Sequence, residues 1–213
     1  MSITLNDGIK NHFMKNVVLY IIVILSFTVG ICTGAFTVNA LDYTQYEELS
    51  VYVQEFLNVV NMQDIDHLEL FKVSMFNNIK TVVLLWILGI TVIGIPFILI
   101  IIGIKGFVIG FTVGVMMKVL STRGIFFSLV GILPQNLIMI PCYIVLGIVC
   151  INFSLSLVRS QVKKRYRKEN IKSQFIAYST CVFLAFFFLT IGSVIEAYVT
   201  PVFVKLILLT FIV

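Results

Sequence analysis

Long apolar runs alternate with short polar segments along this chain, and the pattern predicts helices that cross a membrane. A helix needs about 20 apolar residues to span the hydrocarbon core of a bilayer. Runs near that length cover residues 17–38, 78–94, 97–117, 135–157 and 174–194. We therefore predict an all-α fold, a polytopic transmembrane helix bundle that forms one integral membrane domain with five full spans.

A shorter apolar run, residues 202–213, follows the segment from Glu196 to Pro201. Its length is too small for a complete span. We predict a short sixth hydrophobic segment that either crosses the membrane partly or lies at its surface. Glu196 is expected at a helix end, either as a surface carboxylate or as a buried partner of Lys105 or Arg123.

The segment 39–79 is polar, but apolar residues recur in it every three or four positions, which is typical of amphipathic helices. Residues 61–64 separate two such stripes and can supply an N-cap. We predict two amphipathic helices on or near the membrane, the second of which runs into the span 78–94. The stripes contain Leu49, Tyr52, Val53, Phe56 and Val60, then Leu68, Phe71, Met75 and Ile79.

Residues 81–117 hold a single charge, Lys105, and are too many for one span. A corner at Gly94 to Pro96 divides them, because glycine commonly ends helices and proline commonly begins them. Lys105 then lies within the bilayer, where it either snorkels to the surface or faces a polar interior.

The apolar segment that follows is broken by Pro134, Gln135, Asn136 and Pro141. The prolines lack a backbone donor, and lipid cannot satisfy the two amides. Such groups can line a transport site, or they can satisfy backbone carbonyls that the prolines set free. We expect the second role, and we predict a short re-entrant or interfacial helix in residues 118–134.

Composition supports a membrane protein, since the 213 residues are 60% hydrophobic and only 12% charged. A soluble domain carries about 25% charged residues. Mean hydropathy is +1.08. These values leave no room for a separate soluble enzyme module.

The charges are unevenly distributed, and their asymmetry predicts the orientation. By the positive-inside rule, residues 1–16 and the basic loop 159–172 are cytoplasmic, and the acidic loop 39–79 is outside. This topology signal explains the basic loop without nucleic acid. The basic residues of that loop are Arg159, Lys163, Lys164, Arg165, Arg167, Lys168 and Lys172; the acids of the outer loop are Asp42, Glu47, Glu48, Glu55, Asp64, Asp66 and Glu69.

Small residues recur every four positions in two predicted spans, as Gly106, Gly110 and Gly114 and as Gly30 and Gly34. Such ridges let helix backbones approach closely in lipid. They indicate packing within the bundle or contact with a partner, including a second copy of the chain.

No catalytic, cofactor or metal motif is present. The chain contains no P-loop, HExxH or GxSxG pattern, so we predict that it is neither an ATPase nor another enzyme. His12 and His67 are expected at the surface. The four cysteines lie in apolar runs without metal spacing and are expected to be packing residues.

The order of three blocks along the chain resembles the stage II sporulation protein M family of endospore-forming bacteria. The blocks are residues 105–110, 133–136 and 196–201. Gln135 and Asn136 stand where the broader family often has His and Gly, and Met139 or a neighbour replaces an acid.

The resemblance implies a non-enzymatic membrane scaffold for forespore engulfment. It implies a location in the septal membrane of the mother cell, within the bilayer. The partners that it implies are the peptidoglycan-processing stage II sporulation proteins D and P. The runner-up hypothesis is a transporter or permease subunit that uses the broken helix 135–157.

Overall fold

A computed structural model describes residues 5–62, 66–162 and 168–212, and the side chains of 17–60, 66–159 and 171–207. Every element in these described residues is helical. A π-helical turn joins the last two α-helices. The elements are α1 (Leu5–Asn39), α2 (Tyr43–Met62), α3 (His67–Ile90), α4 (Gly94–Leu120), α5 (Thr122–Gly131), α6 (Leu133–Val162), α7 (Lys168–Val194), the π turn (Ile195–Val199) and α8 (Thr200–Ile212).

Five helical segments in the described part of the chain are long and apolar enough to cross a membrane. The prediction of an all-α polytopic helix bundle is confirmed. The segments are Val17–Asn39, His67–Ile90, Gly94–Leu120, Leu133–Arg159 and Ile171–Ile207.

The bundle has two distinct ends. At the end that we call acidic, α1 and α4 finish side by side, and the Lys118 Nζ donates to the Val38 carbonyl at 2.7 Å. At the opposite end, called basic, α6 lies against the α3–α4 turn, where the Ser154 hydroxyl donates to the Thr91 carbonyl at 2.8 Å. The names follow the charged segments 39–79 and 159–172. The largest apolar core lies between α1, α3, α4, α6 and α7.

The turn between α3 and α4 lies next to the predicted corner. α3 ends at Ile90 and α4 begins at Gly94. A Cβ atom at Gly94 would lie 1.9 Å from the Leu88 carbonyl oxygen, so the tight turn needs glycine there. The second predicted amphipathic helix runs into the span as one helix, α3, and Asp66, two residues after the predicted capping segment 61–64, caps its first turn. The Asp66 carboxylate accepts from the Leu68 and Glu69 amides at 2.9 and 3.2 Å.

The buried faces of α2 and α3 differ from the predicted stripes. On α2, Val53 and Val60 are buried, but Tyr52 is 70% exposed. On α3, the buried face carries Ser74 and Asn78. The prediction placed only apolar residues toward the core. In the structure, Ser74 and Asn78 form hydrogen bonds with polar side chains of other helices.

The chain stays helical from α7 through the π turn into α8. The helix end expected at Glu196 is therefore absent, and residues 202–212 continue the helix. Pro201, at the second position of α8, has no amide to donate to the Ala197 carbonyl four residues earlier. The helix widens there, and the Thr200 amide bonds five residues back to Ile195. Val204 of α8 packs with Val60 and Phe127, which places α8 at the acidic end against α2 and α5.

Candidate functional site: a polar network inside the bundle

Lys105 of α4 and Glu196 of the π turn both bring a charge inside the bundle. The Lys105 ammonium lies 4.9 Å from the centre of the Tyr143 ring, which is a cation–π contact. The Glu196 carboxylate is near enough for its charge to act on Lys105, but the two groups form no ion pair within 4 Å. Both side chains are half-buried. Glu196 is thus not an exposed surface carboxylate, and its charge lies within range of Lys105, whereas Arg123 is exposed on α5.

Glu196 belongs to the π turn, which also brings it to α3. Its Oε2 accepts a hydrogen bond of 2.5 Å from the buried Ser74 hydroxyl. π turns inside α-helices are frequent at functional sites, because the extra residue re-aims side chains. Here the turn results from Pro201, and it directs a carboxylate into the bundle.

A second chain of hydrogen bonds joins α3, α6 and α7 beside this pair. The Tyr143 hydroxyl donates to the Asn78 Oδ1. The Asn78 Nδ2 donates to the Ser193 Oγ at 2.7 Å, and the Ser193 hydroxyl donates to the Leu189 carbonyl at 3.2 Å. All three side chains are at most 5% exposed. The network satisfies polar groups that lipid cannot satisfy, and it ties three spans together.

We expect the Tyr143→Phe variant to lose about 1 to 2 kcal/mol of unfolding free energy, because the buried Asn78 carbonyl loses its donor. Thermal unfolding in detergent measures the change. The matched control is Tyr52→Phe on the exposed face of α2, which should change stability by less than about 0.5 kcal/mol. Equal stability of the two variants would contradict an energetic role for the network.

The amides of the broken helix lie apart from this network. Gln135 Oε1 accepts from the Thr200 hydroxyl at 3.1 Å, which joins α6 to α8. Asn136 Nδ2 donates to the Ile132 carbonyl at 2.8 Å, at the start of α6. Pro134 lies in the first turn of α6, and Pro141 lies inside it with an exposed side chain. The amides thus bond to α8 and to a local carbonyl, and neither bonds to Lys105.

The predicted glycine ridges meet each other in a seam between α1 and α4. A Cβ atom at Gly106 would lie 2.3 Å from the Phe27 carbonyl oxygen, and one at Gly110 would lie 2.1 Å from that of Ile31. Gly30 and Gly34 of α1 contact the α4 backbone equally closely, whereas Gly114 is less tightly packed. These ridges therefore pack within the bundle.

His67 is half-buried, not a solvated surface residue. Its Nδ1 lies 2.7 Å from the Ala197 carbonyl oxygen, and its ring stacks on Tyr198 with 5.3 Å between centroids. A carbonyl oxygen only accepts hydrogen bonds, so Nδ1 carries the proton. The Ala197 carbonyl is also the one that Pro201 leaves without an amide donor. His67 thus links the start of α3 to the π turn.

Ser74, Asn78, Tyr143 and Ser193 were not predicted as site residues. Ser74 and Asn78 are four positions apart, which places both on one face of a helix. Two polar residues at that spacing on an apolar helix indicate a buried polar face. Among the described residues, no group of three His, Cys, Asp or Glu side chains could hold a metal ion.

The chain has five apolar spans, a close glycine seam and an internal network of polar and charged side chains. These features define a polytopic helical membrane protein in which polar groups join helices. Residues 23–201 match the family model described as stage II sporulation protein M, and the chain belongs to that family. The resemblance found in the sequence is confirmed, and family membership identifies a sporulation-related membrane protein. Comparisons with curated proteins and with solved structures gave no match.

Proposed function

We propose that this chain is a non-enzymatic membrane scaffold for forespore engulfment. It holds the peptidoglycan-remodelling stage II sporulation proteins D and P at the septal membrane of the mother cell. Family membership supports the link to sporulation. The observation that carries the scaffold role is the exposed face of α2.

α2 is fixed to the bundle on one side and exposed on the other. Val53 packs with Val38 and Val115, and the Tyr46 hydroxyl donates to the Lys118 carbonyl at 3.4 Å. Lys118 also lies over the Tyr46 ring at 5.2 Å. A helix held in this way presents its other face in a constant position. That face is acidic and aromatic, with exposed side chains at Tyr43, Glu47, Glu48, Tyr52, Glu55 and Phe56.

The orientation that we propose places this face outside the cytoplasm. Positive charge in loops marks the cytoplasmic side, and the segment 159–172 carries seven basic residues, named above. The helix that leads into this segment, α6, approaches it at the basic end of the bundle, opposite α2. α2 then meets the compartment in which peptidoglycan is remodelled. Aromatic residues are enriched in protein interfaces, which suits contact with a partner.

The transporter hypothesis has less support. It requires a polar path that joins Lys105 to Gln135 and Asn136. In the described residues Lys105 contacts the Tyr143 ring, whereas Gln135 and Asn136 bond elsewhere, and no hydrogen bond joins the three groups. A groove of about 450 Å³ between α3 and α7 has an almost wholly apolar lining, and none of these three residues lines it.

Affinity purification of the tagged full chain from sporulating membranes tests the proposal. Quantitative mass spectrometry should recover stage II sporulation proteins D and P together with it. Recovery of a nucleotide-binding subunit, with neither of those proteins, would replace the scaffold by a transporter.

Reversing the charge of the α2 face should separate partner binding from folding. We expect the Glu47→Lys/Glu48→Lys/Glu55→Lys variant to lose at least about tenfold in recovered partner, because complementary charge across an interface becomes repulsive. All three side chains are exposed, so thermal stability should stay nearly unchanged. The control is the neutral triple Gln variant, which should retain an intermediate amount. Full recovery with the Lys variant would exclude this face as the partner surface.

A further inference from the structure

The short helix α5 lies across the acidic end of the bundle and does not cross the membrane. It follows directly after the span Gly94–Leu120 and ends two residues before the start of the span Leu133–Arg159. The first of these spans finishes at the acidic end and the second starts there. The ten residues of α5 measure about 15 Å, which is about half the thickness of the hydrocarbon core. α5 therefore bridges two span ends within one leaflet.

Contacts with α4 fix the depth of α5. A Cβ atom at Gly124 would lie 2.0 Å from the Met116 carbonyl oxygen and 2.9 Å from the Met117 Cα. Phe127, three residues further, packs in one apolar cluster with Met116 and Leu120. Because these α4 residues belong to a span, α5 lies beside the end of that span, at the level of the bilayer, and does not project beyond it.

α8 runs alongside α5 in the opposite direction. Its first residue, Thr200, donates to Gln135, which follows α5 in the chain. Four residues later, Val204 lies 3.2 Å from the position of a Cβ atom at Gly131 and packs with Phe127. Since increasing positions in α8 meet decreasing positions in and after α5, the two helices form an antiparallel pair. α8 therefore also lies across the acidic end.

The outward faces of both helices are apolar. Each exposes three large apolar side chains at positions i, i+1 and i+4, which share one face of a helix. The exposed fractions are 47 to 56% on α5 and 41 to 53% on α8. The exposed charge on each is a single cation, Arg123 or Lys205, whose long stem can reach lipid headgroups. The apolar side chains are Ile125, Phe126 and Leu129 of α5 and Val202, Phe203 and Leu206 of α8.

In the described part of the chain, no helix lies across the basic end in this way. Residues 91–93 alone join α3 to α4 there, and α1 passes through its span as one helix. The protein therefore occupies more area in one leaflet than in the other. Lying flat, α5 and α8 add about 150 and 200 Å² to the leaflet at the acidic end, because a helix is about 10 Å wide.

We propose that α5 and α8 insert into the leaflet at the acidic end as a wedge, which concentrates the protein where that leaflet is convex. Their apolar faces contact the boundary between the phospholipid headgroups and the acyl chains, where the binding of interfacial helices is sensitive to curvature. α2 differs from this pair, because its exposed carboxylates face water. The inference does not depend on the partners proposed above.

Vesicles of different radius test the wedge with the full chain alone. The fluorescently tagged chain is reconstituted into phosphatidylethanolamine–phosphatidylglycerol vesicles, and its amount per membrane area is measured for each vesicle. Tyr43→Cys on α2 reports orientation, because this position is 78% exposed and an impermeant thiol reagent labels it only when the acidic end faces outward. The chain without this substitution gives the background labelling.

We expect outward-facing copies to be at least about threefold denser in small vesicles than in large ones. Inward-facing copies should be depleted from small vesicles, because their wider end then lies in the concave leaflet. Equal density of outward-facing copies at all radii would overturn the proposal. The same preference in both orientations would also overturn it, because a wedge favours only one sign of curvature.

Removal of the apolar faces tests whether α5 and α8 cause the preference. Two Ser variants should lose it, and thermal unfolding shows that each is folded; they are Ile125→Ser/Phe126→Ser/Leu129→Ser and Val202→Ser/Phe203→Ser/Leu206→Ser. The matched control changes three exposed residues of the same types as in α5, but on a span, and should keep the preference; it is Ile21→Ser/Leu25→Ser/Phe36→Ser of α1. An unchanged preference in the folded Ser variants of α5 and α8 would contradict the wedge, and the orientation result of the wild type decides the proposal if neither variant folds.

Discussion

Replacement of Gly110 by Ala should destabilise the bundle, and replacement by Ile should prevent α1 and α4 from packing. The added Cβ atom would lie 2.1 Å from the Ile31 carbonyl oxygen and 2.8 Å from its carbon. Both atoms belong to the backbone, so no side-chain rotation relieves the clash. We expect a loss of about 1 to 3 kcal/mol for Ala, and loss of folded protein for Ile.

Gly103 provides the matched control, because it lies on the same helix, seven residues earlier. A Cβ atom there would meet the Ser26 Oγ at 3.4 Å, which is an ordinary contact. Thermal unfolding of both Ala variants in one detergent measures the difference. Equal losses at positions 103 and 110 would show that the close approach of the two backbones contributes little to stability.

Replacement of Glu196 by Leu should cost about 1 to 3 kcal/mol, because it removes the negative charge that acts on Lys105 within the bilayer. It also removes the acceptor of the Ser74 hydroxyl. Adding Lys105→Met to the same chain should restore much of the stability. A double-mutant cycle should give a coupling energy of about 1 to 3 kcal/mol between the two sites.

The control for this cycle is Glu55→Leu, which removes an exposed carboxylate from α2. It should change stability by less than about 0.5 kcal/mol and should show no coupling to Lys105. Additive effects of Glu196→Leu and Lys105→Met would mean that the two charges do not act on each other.

Properties that depend on neighbouring residues could be predicted from the sequence. The length of an apolar run decides whether a helix can cross a bilayer, and this criterion was sufficient for the helical membrane fold. The turn before α4 was also predictable, because it requires a residue without a Cβ atom, and the sequence has Gly94 two positions before Pro96. The close packing at the glycine ridges could also be predicted, because the glycines recur every four residues.

Properties that depend on residues far apart in sequence could not be predicted. The buried face of α3 carries Ser74 and Asn78, and their partners Glu196 and Ser193 are 122 and 115 positions away. Hydrophobic periodicity assigns polar residues to the outside of a helix. The predicted buried face of α3 therefore excluded Ser74 and Asn78. The role of His67 likewise depends on a carbonyl 130 positions away, and no local pattern around His67 indicates it.

Reconstitution in nanodiscs tests the scaffold most directly. Stage II sporulation proteins D and P are mixed with and without the full-length chain, and complex formation and peptidoglycan cleavage are measured. We expect that the chain alone cleaves nothing, and that its addition brings both proteins into one complex, which the Lys variant of the α2 face fails to assemble. Equal assembly of the two proteins in the absence of the chain, or cleavage by the chain alone, would contradict the account.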